Sequence, residues 1–357
     1  MNSLAIYAGP TALKRLNNEG FNADQFKVLV GASGGPKWFV LLGLDRYLFG
    51  EFFADRKKDL LTVGSSVGAW RMCCLATKDP VRSIECLAHN YCHENYSKYP
   101  SIEEVTASAK AMLEKVLVDN GKGEIANNSI FQTHVVAVRA RGFGSSKSRI
   151  LQAVHLGLSA VSNLFSRRTL GLFFERTIFT NMGDLSPWKN LNDISTRIFD
   201  LSAGNISDVM LSSGSIPFSL EGVRNISGAN MGLYWDGGIV DYHFDWPFSE
   251  TDGLVLYPHF SSQIIPGWFD KRLPWRKTDE RFLDNVVLLA PTKEFISTLP
   301  GGKIPDRNDF VNYTYEERVR IWKEVISKSE SLAAELKDLV NTGENLHLVR
   351  PISERDR

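Results

Sequence analysis

A serine hydroxyl becomes a useful nucleophile when a base takes its proton and backbone N–H groups wait for the oxyanion it creates. Three stretches of this chain carry residue types suited to that chemistry. Ser66 sits at the centre of Gly64-Ser65-Ser66-Val67-Gly68, a Gly-x-Ser-x-Gly pentapeptide. Gly34 and Gly35 belong to the small-residue loop Gly31-Ala32-Ser33-Gly34-Gly35-Pro36-Lys37, whose N–H groups suit an anion. Asp236 opens Asp236-Gly237-Gly238, an acidic residue presented on a tight turn. A carboxylate serves directly as the base if partial burial lifts its pKa toward the working range. Lys37 adds charge beside the loop, holds it in place, or is an ordinary surface lysine.

Other chemistries compete for the same residues. The order Ser…Asp…His of a three-residue relay is also satisfied, because His243 and His259 follow Asp236. The 31–37 loop is a poor nucleotide cradle, since Pro36 separates Gly35 from Lys37 and no Gly-x-Gly-x-x-Gly is present. Cys86, His89 and His93 fall at i, i+3 and i+7, with Cys92 adjacent. Without Cys-x-x-Cys pairing they read as a packed helix face, and no metal is expected.

The elements that must position these residues follow from the apolar pattern. Residues 26–30 and 60–63 read as short buried strands, each running straight into a chemistry-bearing turn, and 69–76 as the buried helix after Ser66. Strand, Gly-flanked turn and helix together form the setting of a nucleophile elbow. Residues 5–7, 133–138, 195–201, 254–257 and 286–289 read as further strands. Helices are predicted over 11–17, 38–53, 80–96, 101–118 and, with an interruption near Ser327, 315–340. His134, alternating with valines, reads as a core histidine.

The 357 residues show no repeat, no low-complexity tract and no clear linker, which favours one domain over 1–357. Lys plus Arg and Asp plus Glu both total 41, arguing against a nucleic-acid binder driven by bulk charge. No stretch approaches the roughly 18 apolar residues of a spanning helix, and no signal peptide is evident. Four cysteines crowded between 73 and 92 suggest free thiols in a reducing, cytoplasmic setting.

Four segments, in order, resemble the patatin-like phospholipases. They are Gly34-Gly35-Pro36-Lys37, Gly64-Ser65-Ser66-Val67-Gly68, Ser212-Ser213-Gly214-Ser215-Ile216-Pro217-Phe218 and Asp236-Gly237-Gly238. The resemblance covers about 26–260, with 261–357 as an extension packed on that core. It implies an α/β fold, a three-layer α/β/α sandwich with a mostly parallel sheet. It further implies a Ser66–Asp236 dyad without histidine, and an oxyanion hole from Gly34 and Gly35 with Lys37 near it. Gly64, Gly68, Gly237, Gly238 and Pro217 support the motifs. The chain departs from the family's pattern at Ala32-Ser33, where glycine is usual. It departs again at Tyr242-His243-Phe244, where an Asn-Pro element is frequent.

The function expected is a cofactor-independent serine acyl hydrolase acting on lipid-like carboxylic esters, of phospholipase A, lysophospholipase or non-specific esterase type. A Ser-Asp-His hydrolase using His243 or His259 is the alternative, as is a non-catalytic lipid- or protein-binding module. Two stretches bear on membrane contact. Residues 150–165, followed by Arg167 and Arg168, and the apolar run 170–179 read as two buried helices or as a cap or interfacial surface. Trp268, Phe269 and Trp275 with Lys271, Arg272 and Arg276 read as a packed aromatic loop or as a contact with a membrane or partner.

Overall fold

Strands that are apolar on both faces belong in the middle of a sheet covered on both sides. The computed structural model, which describes residues 2–118, 120–344 and 346–355, places them there. Its strands are β1 (Leu4–Ala8), β2 (Phe26–Gly31), β3 (Leu60–Ser65), β4 (Phe131–Ala140), β5 (Phe174–Thr180) and β6 (Thr196–Asp200), then β7 (Val223–Arg224), β8 (Leu233–Asp236), β9 (Leu254–Pro258), β10 (Val286–Pro291) and β11 (Arg350–Pro351). The order across the sheet is β11-β1-β10-β9-β2-β3-β4-β5-β6, with β8 on β4 and β7 on β8. The run β10-β9-β2-β3-β4 is parallel throughout. Helices flank the sheet, completing a three-layer α/β/α sandwich. Residues 286–291 and 350–351 supply strands to this sheet, so the C-terminal part of the chain builds it as well as covering it.

Ten-residue β4 organises the site. Along one edge it pairs with β3 as far as Ser65 opposite Val136, and from the next residue with β8, Asp236 lying opposite Ala137. β3 runs parallel to β4 and β8 antiparallel, so the two strands meet end to end. Residues 66 and 236 are therefore delivered to one point by consecutive positions of a third strand.

Several elements differ in detail from the sequence expectation. Residues 38–53 are helical but change hydrogen-bond register twice, from a 3-10 segment (Gly35–Leu41) through an α-helix (Leu42–Tyr47) to a π turn (Leu48–Phe52). The helix from Pro80 stops at Cys92 rather than near 96. The buried Arg318 guanidinium donates to the Glu94 carbonyl beyond its end. The C-terminal helix divides at Ser329, into Tyr315–Lys328 and Glu330–Thr342. The buried Ser329 hydroxyl accepts the Gly43 N–H at 2.9 Å, docking the break onto the Leu42–Tyr47 helix.

The run 170–179 is helical only over Leu170–Phe173 and continues as β5, and the helix Arg149–Phe165 departs from the reading of a buried apolar helix. Its buried positions are His155, Ser159 and Asn163, whereas Ile150, Val154, Leu158, Val161 and Phe165 face outward. Ile150 is 76% and Phe165 84% exposed. The polar stripe is turned inward by specific partners: Asn163 Nδ2 donates to Asp270 Oδ1 at 2.7 Å, and His155 sits edge-on among Phe143, Phe173 and Phe174. Among the described residues, no helix is long and apolar enough to cross a membrane.

Candidate active site

The turn after β3 is sharp because its neighbours leave no room for anything but backbone. A Cβ on Gly68 would stand 2.0 Å from the Gly31 carbonyl oxygen, and one on Gly64 2.5 Å from the Ala69 nitrogen. The two glycines let the helix Val67–Leu75 start directly above β2 and β3. Between them Ser66 adopts φ 56° and ψ −135°, a conformation that costs a non-glycine residue of order 1–3 kcal/mol. Arg71 on the same helix is clamped by Asp45 through bonds of 2.8 and 2.6 Å, both side chains fully buried, which fixes the helix behind the serine.

Ser66 Oγ donates to Asp236 Oδ2 at 2.7 Å. The other carboxylate oxygen accepts the Gly238 N–H at 2.7 Å, a contact made possible by the tight 236–238 turn. Asp236 is 5% exposed, and burial pushes its pKa up to about 6 against the opposing pull of Ser66, Arg307, Gly238 and Lys271. A base with that pKa is ionised at neutral pH and still acidic enough, once protonated, to return the proton to a leaving group.

The segment 212–218 holds both partners. Ser66 N–H donates to Ser213 Oγ at 2.9 Å, and Ser213 Oγ donates to the Val136 carbonyl at 2.7 Å. Asp236 N–H donates to the Ser215 carbonyl at 2.9 Å. A second chain of hydroxyls ties in the glycine loop. Ser65 Oγ donates to the Asp241 carbonyl at 2.6 Å, so Ser33, 2.6 Å from Ser65 Oγ, is the donor in that pair. The Asp241 carboxylate is itself locked by Arg176 and Trp246. Among the described residues no acceptor engages the Gly34 or Gly35 N–H. Gly35 takes φ +56°, which turns the backbone at the cavity it shares with Ser66.

Two cavities meet at Ser66. One, of about 280 Å³, is lined by Ser66 and Asp236 with Gly34, Lys37, Pro217, Lys271 and Arg307. The other, of about 370 Å³, runs from Ser66 along Val67, Trp70, Ile102, Val105, Met112 and Leu220, and is largely apolar. Gly35 and Arg307 border both.

No protein-family model matches the chain, and no curated protein matches it. The site therefore stands on its own geometry.

That geometry brings Ser66, Asp236, Gly34, Gly35, Lys37, Pro217 and Gly238 to one cavity. Gly237 packs beneath it, where a Cβ would meet the Val136 carbonyl oxygen at 2.2 Å. Neither His243 nor His259 lines the cavity that Ser66 and Asp236 share. His243 Nδ1 accepts the Ile265 N–H at 2.8 Å, His259 Nδ1 is engaged by Ser261, and burial holds both rings neutral, with pKa values far below 6.5. His134 is buried, bonded to the Thr62 and Gln132 carbonyls. Among the described residues no group of three or more metal-ligating side chains gathers.

Sequence reasoning did not assign roles to Ser213, Ser33 or Ser65, although the small-residue run before Pro217 was the available signal for the first. Lys271 belonged to the stretch read as a packed aromatic loop or as a contact with a membrane or partner, and neither reading placed it where it lies, lining the Ser66 cavity with its amine 3.9 Å from the Tyr242 ring centroid. Arg307 carried no local signal, because only the tertiary fold brings it against Gly35.

Proposed function

We propose that this chain is a serine acyl hydrolase that cleaves carboxylic esters of lipid-like substrates through a Ser66–Asp236 dyad, as the resemblance to patatin-like phospholipases implies. The observation that carries the reading is the 2.7 Å Ser66–Asp236 hydrogen bond at the junction of an apolar and a polar cavity. Asp236 takes the Ser66 proton as Oγ attacks the ester carbonyl carbon. The oxyanion formed is met by the Gly34 and Gly35 N–H groups, each such donor being worth about 3 kcal/mol in the transition state. The bond to the leaving alcohol then breaks, and Asp236 passes its proton to that oxygen. Water, deprotonated by the same carboxylate, attacks the acyl-serine, and Ser66 recovers its proton as the acid departs. The apolar cavity suits the acyl chain. No step calls on a cofactor.

The substrate is delivered from a lipid surface. The outward apolar stripe of Arg149–Phe165 has Lys147, Arg149 and Arg168 around it. Through Asn163 and Arg276 it is joined to the 268–276 loop that carries Lys271 into the cavity. The four free cysteines accord with a reducing, cytoplasmic setting for this peripheral contact.

The test is hydrolysis of a panel of soluble esters, lysophospholipids and phospholipids by the wild type and Ser66→Ala. The reading expects hydrolysis lost by at least a thousandfold in the variant, with a fluorophosphonate probe labelling Ser66. Equal rates for the two proteins end it. A joint His243→Ala, His259→Ala variant that keeps substantial activity excludes the three-residue relay.

A further inference from the structure

The polar cavity contains more positive charge than the dyad chemistry uses. Lys37, Lys271 and Arg307 all line it. Among the described residues none of the three forms a salt bridge. The two carboxylates that share the cavity are committed elsewhere. Asp236 spends its oxygens on Ser66 and the Gly238 N–H. Asp306 accepts from Lys303 at 3.0 Å and from the Asn308 N–H at 2.7 Å. The lysine amines rest on aromatic faces instead, Lys271 over Tyr242 at 3.9 Å and Lys37 over Phe260 at 5.2 Å. Arg307 lies against the glycine loop, its Nε 3.1 Å from where a Gly35 Cβ would stand.

Three basic groups that form no salt bridge and repel one another make a cluster to which an anionic ligand would supply the missing charge. Its position gives that ligand a polarity. Lys37 and Lys271 line the polar cavity and not the apolar one, and Arg307 stands where the two meet at Ser66, so an ester seated there sends its acyl chain one way and its alcohol toward the lysines. Beyond them a larger cavity of about 760 Å³ shares Lys37, Tyr242, Lys271 and Asp306 and leaves room for a head group.

We propose that Lys271 and Arg307, together with Lys37, form an anion subsite that selects esters whose leaving alcohol carries a phosphate or carboxylate group. The inference rests on Ser66 being the residue acylated. It goes beyond that reading by giving the alcohol half of the substrate a charge and by assigning recognition to residues of the C-terminal part of the chain. The Lys271 amine behaves accordingly. Removal from water within the cavity, then the charges of Lys37 and Arg307, draw its pKa down to about 7 against the opposing pull of Asp236, and a bound anion favours its protonated form.

The test has a binding arm and a turnover arm. In the binding arm, Ser66→Ala protein is titrated with octyl phosphate, octyl glucoside and inorganic phosphate. Octyl phosphate should bind at least tenfold more tightly than either of the others. Lys271→Met with Arg307→Gln should abolish that preference, whereas Lys271→Arg with Arg307→Lys should preserve most of it. Equal binding of octyl phosphate and octyl glucoside, or of octyl phosphate and free phosphate, overturns the subsite.

In the turnover arm, wild type is given a monoacylglycerol and its 3-phosphate, then O-octanoyl lactate and its methyl ester. Each anionic ester should show a kcat/KM at least tenfold above its neutral partner, with the gap in KM. Phosphate and carboxylate pairs report separately which group is preferred. Cleavage of neutral and anionic esters with the same kcat/KM overturns the subsite and leaves the hydrolase reading standing. Binding of octyl phosphate without cleavage of any ester overturns the hydrolase reading and, with it, the assignment of the anion to a leaving group.

Discussion

The Ser213 hydroxyl accepts the Ser66 N–H at 2.9 Å and, by donating to the Val136 carbonyl at 2.7 Å, ties the Ser66 backbone to β4. This bond holds a strained residue in place, since Ser66 occupies φ 56° with a side chain to accommodate. Removing the hydroxyl leaves a buried N–H and a buried carbonyl without their partner, at a cost of about 1–3 kcal/mol each before relaxation.

Ser213→Ala is therefore expected to lower kcat by about tenfold to a hundredfold on a soluble ester while changing KM little, because the hydroxyl positions the nucleophile and leaves substrate binding alone. Ser213→Thr, which keeps the hydroxyl, should recover most of the loss. A KM effect larger than the kcat effect would contradict the positioning role. Steady-state kinetics beside a urea denaturation curve separates the catalytic loss from the stability loss.

In the proposed dyad Asp236 links activity and stability in opposite directions. Activity needs the ionised carboxylate, so kcat/KM should fall about tenfold per pH unit below a midpoint near pH 6. The folded-state pKa lies above the ordinary 3.8, so the native protein favours the protonated carboxyl. The stability this group contributes is full below about pH 4 and is lost as pH rises through about 6. The gap between 3.8 and about 6 corresponds to about 3 kcal/mol. Asp236→Asn, neutral at every pH and still able to accept the Gly238 N–H, should be inactive and more stable than wild type at pH 8. That advantage should vanish near pH 4. Thermal melts of both proteins across this range check the sign, and a variant less stable at pH 8 than wild type would reverse it.

The elbow glycines should tolerate nothing larger. Gly68→Ala puts a methyl 2.0 Å from the Gly31 carbonyl oxygen, a backbone atom that cannot move without disturbing β2. A loss of about 3 kcal/mol or more is expected, together with the loss of turnover. Gly157 is the control. It lies in the interior of the helix Arg149–Phe165, with nothing within 4 Å of where an added methyl would stand, and Gly157→Ala should stabilise by about 1 kcal/mol. Denaturation midpoints of the two variants check both signs.

The central strands were legible because parallel strands buried on both faces read as unbroken apolar runs, and β2 and β3 announce themselves by ending in glycine-rich turns. Their order in the sheet was not legible. Nothing local says that β3 and β8 abut along β4, yet that register is what delivers Ser66 and Asp236 to one point. Asp236 could be picked out by its Gly-Gly turn, whereas Asp241, five residues on, shows its role only through Arg176 and Trp246. The orientation of Arg149–Phe165 was illegible for a different reason. Its apolar period is that of an ordinary core helix, and only tertiary contacts, Asn163 meeting Asp270 and His155 seated among Phe143, Phe173 and Phe174, show that the polar stripe faces inward.

That orientation supplies the last prediction. Val154 and Leu158 are each 48% exposed and point away from the domain, so glutamate at both positions should leave the fold's melting temperature nearly unchanged. On a lipid surface the same side chains bury apolar area, each worth about 1.5 kcal/mol or more, and the new charges oppose anionic headgroups. Val154→Glu with Leu158→Glu should therefore reduce partitioning onto vesicles of mixed neutral and anionic phospholipid by more than tenfold. Hydrolysis of lipid presented in those vesicles should fall in parallel, with cleavage of a short water-soluble ester retained. Co-sedimentation measures the first quantity and the two assays the others. Equal partitioning of variant and wild type would show that the stripe does not meet lipid. Loss of soluble-ester cleavage as well would place these residues in the path to Ser66 instead.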